Sequence, residues 1–104
     1  MKKYEKYIER DDLTDATHLN ISVYYDKGGM NYFTGGTSQR GYYMSVKPVR
    51  KSENMVSYTA FSGFSRFLFE TGRFTAKQFE RAVEMSKGFE EELIAAVVVM
   101  DKAA

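Results

Sequence analysis

Hydrophobic positions change their period several times along the chain, and each change marks an expected element. Between Lys2 and Arg10, Tyr4, Tyr7 and Ile8 fall at i, i+3 and i+4, which predicts a short amphipathic helix. Asp11, Asp12, Thr14 and Asp15 interrupt it. From Leu19 the period becomes two: Leu19, Ile21, Val23 and Tyr25 share one face, Asn20, Ser22 and Tyr24 the other. Asp26-Lys27-Gly28-Gly29 reads as a turn, because paired glycines supply positive φ. Met30 to Thr34 is the expected return strand, and Gly35 to Gly41 a longer loop. Tyr42 to Lys47 predicts a third strand that Pro48, lacking an N–H, ends or marks as an edge. Met55 to Phe61 completes four strands in an expected antiparallel meander.

The second half returns to a helical period. Ser62 can cap a short helix through Glu70 with Phe64, Phe67 and Leu68 on its inner face, and Gly72 ends it. Thr75 and Gln78 then form a capping box, and Phe74 before the cap can staple onto Phe79. Phe79, Ala82, Ser86, Phe89, Leu93, Ala96 and Met100 follow in steps of three and four. That stripe predicts one helix of about 25 residues, roughly 37 Å long. Gly88 costs about 1 kcal/mol there relative to alanine and is a point where the helix can break. Residues 93–100 then have a strand as the alternative to helix. The expected fold is a single α+β domain of residues 1–104: a four-stranded meander, a short N-terminal helix, and C-terminal helices packed on one face.

Composition narrows the chemistry. The 104 residues contain no cysteine, which removes disulfides, thiolate metal sites and a cysteine nucleophile. His18 is the single histidine, so no second imidazole can share a zinc ion with it. No Gly-x-Ser-x-Gly elbow occurs, and Ser62-Gly63 reads as a helix start. The glycine pairs at 28–29 and 35–36 precede strands, whereas a phosphate-binding loop leads through Gly-Lys-Ser/Thr into a helix. Asp11, Asp12 and Asp15 lack the spacing of a calcium loop and read as a solvated turn. Neither an enzyme nor a cofactor is expected. The longest apolar run, Leu93 to Met100, is far too short to span a membrane, and the first residues lack an apolar secretory core. A cytoplasmic location is the expectation.

Charge and aromatics are both unevenly distributed. The formal net charge is +1, but residues 1–26 carry −2, residues 27–81 carry +6 and residues 82–104 carry −3. All eight tyrosines precede Ala60, while seven of eight phenylalanines follow it. Tyrosine suits half-exposed sheets and interfaces, since its hydroxyl needs water or a partner. Strand alternation makes Tyr24-Tyr25 and Tyr42-Tyr43 each send one ring to each face. Tyr32, Arg40, Tyr43, Lys47, Arg50 and Lys51 are therefore the expected partner-binding residues, with the Gly35–Gly41 loop adapting to the partner. Rings beside cations grip single-stranded RNA or DNA, and tyrosine with arginine also forms protein hot spots. Both partner classes stay open. So does a purely structural reading, in which the N-terminal helix covers the second face. A homodimer joined along the long helix is a further expectation.

The stretch from Tyr24 to Val49 (YYDKGGMNYFTGGTSQRGYYMSVKPV), with Tyr58 to Gly63 and Phe79 to Met85, resembles small proteins of plasmids and conjugative elements of Gram-positive gut bacteria. Some small proteins of that setting are anti-CRISPR inhibitors, which bind a type II effector nuclease or interfere with its guide RNA. The resemblance implies a non-enzymatic interaction protein, and it brings no set of functional residues to transfer. Many such inhibitors imitate DNA with acidic surfaces. A basic middle segment fits an acidic protein patch or competition for RNA instead.

Overall fold

A computed structural model of the chain describes residues 4–14, 16–30, 36–51, 56–58 and 63–103, with backbone alone for residues 51 and 56–58. The elements are β1 (Tyr4–Glu9), β2 (His18–Asp26), β3 (Gly29–Met30), β4 (Thr37–Ser38), β5 (Gly41–Lys51), β6 (Val56–Tyr58), β7 (Phe64–Glu70) and α1 (Ala76–Ala103). The architecture is α+β: an antiparallel sheet with the path β1-β2-β5-β6 and one C-terminal helix. β7 also pairs with β5, and β3 with β4 forms a separate two-stranded ribbon.

The period-two pattern of β2 sets the core. Leu19, Ile21 and Val23 are buried against Tyr42, Met44 and Val46 of β5, and α1 seals them with Phe79, Ala82, Leu93 and Val97. Each such aliphatic side chain contributes about 1.5–3 kcal/mol on full burial. β5 is long enough to take β2 along one edge, with β7 and then β6 along the other.

Several expectations are corrected. The N-terminal helix is strand β1, with Tyr4, Lys6 and Ile8 opposite Val23, Ile21 and Leu19. Tyr4 and Ile8 are four apart, a spacing that suits a helix and also keeps one face of a strand. What hid the alternation was Lys6 at the central inward position. Its ammonium reaches Glu90 of α1 at 2.9 Å, and an inward charge of this kind also protects an edge strand from mispairing. Of the expected return strand 30–34 only Met30 is described, and it pairs with Thr37 in the ribbon rather than with β2, which pairs directly with β5; residues 31–34 lie outside those described.

The expected helix from Ser62 to Glu70 is strand β7, Ser62 itself lying outside the described residues. A nine-residue helix is marginal alone, whereas an extended segment satisfies the open hydrogen-bonding edge of β5. Phe67 pairs with Tyr43 and Phe69 with Tyr42, so Leu68 is the extra residue of a bulge. That bulge broke the alternation. Gly63 starts the strand at φ +98°, where a Cβ would collide with the Val46 carbonyl oxygen and lie 2.8 Å from Lys47 Cα. Pro48 does not end β5, which runs on to Lys51. It lies between the last pair with β7 and the first with β6, where its missing N–H costs no ladder bond.

α1 runs unbroken through Gly88 for 28 residues, which decides residues 93–100 as helix. Gln78 N–H donates to Thr75 Oγ1 at 3.1 Å and the Phe74 and Phe79 rings lie 6.3 Å apart, the expected cap and staple. Only half the box closes, because Gln78 Oε1 is buried without a partner. The buried stripe also differs at the C-terminal end. Leu93, Val97 and Asp101 face inward, while Ala96 and Met100 are exposed. Among the described residues no helix is long and apolar enough to cross a membrane.

Candidate functional site

α1 packs on one face of the sheet, and strand alternation places the remaining side chains in rows on the other. One row runs across three strands. Tyr24 is opposite Tyr43, and Tyr43 is opposite Phe67. The Tyr24 and Tyr43 rings stack at 5.6 Å and 12°, and Phe67 meets Tyr43 edge-on at 5.2 Å and 63°. Tyr24 is 38% exposed, while Tyr43 and Phe67 are half-buried, so Tyr24 offers the outermost ring. A serine row lies beside it: Ser22 is opposite Ser45, which is opposite Ser65. The Ser22 and Ser45 hydroxyls are 2.8 Å apart, and the Tyr24 hydroxyl donates to Ser65 Oγ at 3.5 Å. Asn20 and Lys47 form the next row.

The two tyrosine doublets do send one ring to each face. On the helix side Tyr25 meets Tyr42 edge-on at 5.2 Å, and Tyr42 lies 5.3 Å from Phe69. The sealed Tyr42 hydroxyl makes no hydrogen bond of good geometry among the described residues, and burial pushes its pKa up, opposed more weakly by the nearby Thr75 backbone. Tyr43 is also pushed up, first by burial and then by the Asp26 carboxylate. Its protonated hydroxyl donates to the Gln39 carbonyl at 2.6 Å, fixing the ring against the loop before β5.

The expected contact residues are only partly brought together. Tyr43 and Lys47 share the face away from α1, four residues or about 13 Å apart along β5. Arg40 and Arg50 are both exposed but flank opposite ends of β5, roughly 33 Å apart. Arg40 stands at the Asp26–Gly28 turn, where the Gly28 N–H donates to Asp26 Oδ1 at 2.7 Å. Lys51 pairs through its backbone with Val56, and Tyr32 lies outside the described residues. Tyr24 and Phe67 complete the ring row, although neither was among the expected contacts. The alternation around the first Tyr-Tyr doublet was the available signal for Tyr24. Phe67 was hidden by the helical reading of its segment.

Other candidate chemistry is engaged elsewhere. Arg10 donates twice to Asp12, at 2.9 and 2.6 Å, which holds that carboxyl below its usual range, while Asp15 lies outside the described residues. His18 Nδ1 is 2.7 Å from Thr17 Oγ1. Among the described residues no three histidine, aspartate or glutamate side chains are grouped as a metal site requires. Comparison of the chain with protein-family models, curated proteins and solved structures finds no match.

Proposed function

We propose that this protein is a non-enzymatic binding module that docks on a protein partner through the sheet face bearing Tyr24, Tyr43 and Phe67. The observation that carries the reading is the stacked pair of Tyr24 and Tyr43, with Tyr43 flanked edge-on by Phe67 and tied by its hydroxyl to the Gln39 carbonyl. Such a pair presents rigid aromatic area with little side-chain entropy left to lose on binding. A nucleic-acid partner fits the same face less well. Phosphate tracking needs a line of cations, and here Arg40 and Arg50 stand at opposite ends of β5 while Glu5 and Glu9 sit on the same face as the rings. In the setting that the sequence resemblance implies, the partner is a type II CRISPR effector nuclease, and the protein is its cytoplasmic inhibitor on a mobile element.

The test is capture of partners from a host lysate, with and without nuclease treatment, by the wild-type protein and by Tyr24→Asp. A protein that survives nuclease treatment and is lost with Tyr24→Asp supports the reading. RNA or DNA alone, with capture falling steeply between about 50 and 200 mM salt, overturns it in favour of nucleic-acid binding.

A further inference from the structure

The exposed side of α1 changes character along its length. Its first five turns present Lys77, Glu80, Glu84, Lys87 and Glu91 to solvent. Its last turns present Ala95, Ala96, Val99, Met100 and Ala103, with Val99 65% and Met100 43% exposed. Two large apolar side chains bordered by alanines are unusual on the outer face of a helix that already buries Leu93, Val97 and Val98.

We propose that this stripe is a self-association surface on which two copies of the chain pair antiparallel, about a two-fold axis near residue 97. The inference is independent of the sheet face described above. A two-fold interface must be complementary to itself. Reversing the helix about that point sets Ala96 against Val99 of the second copy across the seam, and brings Ala95 to the axial level of its Met100. Small residues then meet large ones at each layer, and the alanines let the helix axes approach closely.

Charge selects the same orientation. Glu91 and Lys102 are both exposed and eleven residues apart, three helical turns, so they lie on one flank of the stripe. An antiparallel pair brings Glu91 of each copy toward Lys102 of the other, twice per dimer. A parallel pair would carry the two Glu91–Lys102 flanks to opposite sides of the seam, where neither charge has a partner across it. Lys102 also lowers the Asp12 carboxyl, but Asp12 takes its hydrogen bonds from Arg10, which leaves the ammonium able to turn outward. Three turns of helix bury less than the roughly 1,200–2,000 Å² of a standard stable interface, so the dimer is weak, with a dissociation constant in the micromolar range or above.

Sedimentation velocity from about 5 to 500 μM at low salt tests the proposal. The wild-type chain is expected to shift from monomer to dimer across that range. Val99→Arg and Ala96→Glu are expected to stay monomeric with unchanged far-UV circular dichroism, since both positions are exposed. Lys102→Glu is expected to weaken the dimer about tenfold, and the double exchange Glu91→Lys with Lys102→Glu to restore it. Tyr24→Asp is expected to leave it unchanged, which separates this surface from the sheet face. A wild-type chain that remains monomeric throughout overturns the proposal, as does a dimer that Val99→Arg leaves intact. Failure of the double exchange to recover the dimer overturns the antiparallel arrangement. A monomer that co-sediments with phosphatidylcholine vesicles assigns the stripe to a lipid surface instead.

Discussion

The Thr14 backbone N–H donates to the carboxylate of Asp101 at 2.5 Å, joining the loop after the first strand to the last turn of the helix. Asp101 is 4% exposed, and an acidic group at a helix C-terminus is opposed by the helix dipole. Its presence there is explained by the donor it satisfies. Asp101→Ala leaves the Thr14 N–H without its acceptor and is expected to cost about 1–3 kcal/mol. Denaturant unfolding measures it, and a change within a few tenths of a kcal/mol would remove the latch from the account.

The cap and the middle of α1 respond to alanine in opposite directions. Thr75→Ala removes the acceptor of the Gln78 N–H and is expected to lose about 1 kcal/mol. A Cβ added at Gly88 meets nothing within 4 Å, so Gly88→Ala is expected to gain roughly 0.5–1 kcal/mol. A loss at Gly88 would mean that the helix bends there in solution.

Gly63 separates a strand from a helix over the following segment. Its φ of +98° and its contact with the Val46 carbonyl are needed only if Phe64 to Glu70 lie along β5. Gly63→Ala is therefore expected to destabilise by more than about 1 kcal/mol, with far-UV signal at the helix band unchanged in the folded state. Were residues 64–70 helical, alanine there would stabilise, and amide exchange of Ser65 and Phe67 would follow a helical protection pattern.

Alkali should unfold the protein in step with tyrosine ionisation. Burial raises the Tyr42 and Tyr43 phenols above the ordinary 10.0, and the hydrogen bond that the Lys6 ammonium donates to Glu90 raises Lys6 above 10.5. All three are protonated in the fold and have their pKa values raised by it. Their contribution is complete below the ordinary values and is lost as pH rises through the folded ones. On the acid side, Asp12 is depressed below 3.8 by Arg10, so its contribution is present above that value and fades as pH falls; solvent screening at this partly exposed pair makes it slight. Tyrosinate absorbance followed with circular dichroism checks the alkaline limb. Ionisation of all eight tyrosines in one step near pH 10, with the fold intact, would contradict the burial of Tyr42 and Tyr43.

Local pattern was enough for β2, for the start of β5, for the Thr75 cap and for the long helix. In each, the side chains that define the period are the ones the fold buries: Leu19, Ile21 and Val23, or Phe79, Ala82 and Leu93. The division of the Tyr24-Tyr25 and Tyr42-Tyr43 rings between two faces was legible for the same reason, since alternation needs no knowledge of partners. Tertiary structure alone decided the rest. Lys6 points inward because Glu90 waits on a helix more than eighty residues away, and Phe64 to Glu70 extend because the edge of β5 needs hydrogen bonds. The grouping of contact residues was decided there too: basic residues close in sequence flank opposite ends of one long strand, while Tyr24 and Phe67 come from different strands to meet Tyr43. Local sequence sets which atoms a segment can bury, but which face and which partner bury them depends on contacts that only chain closure creates.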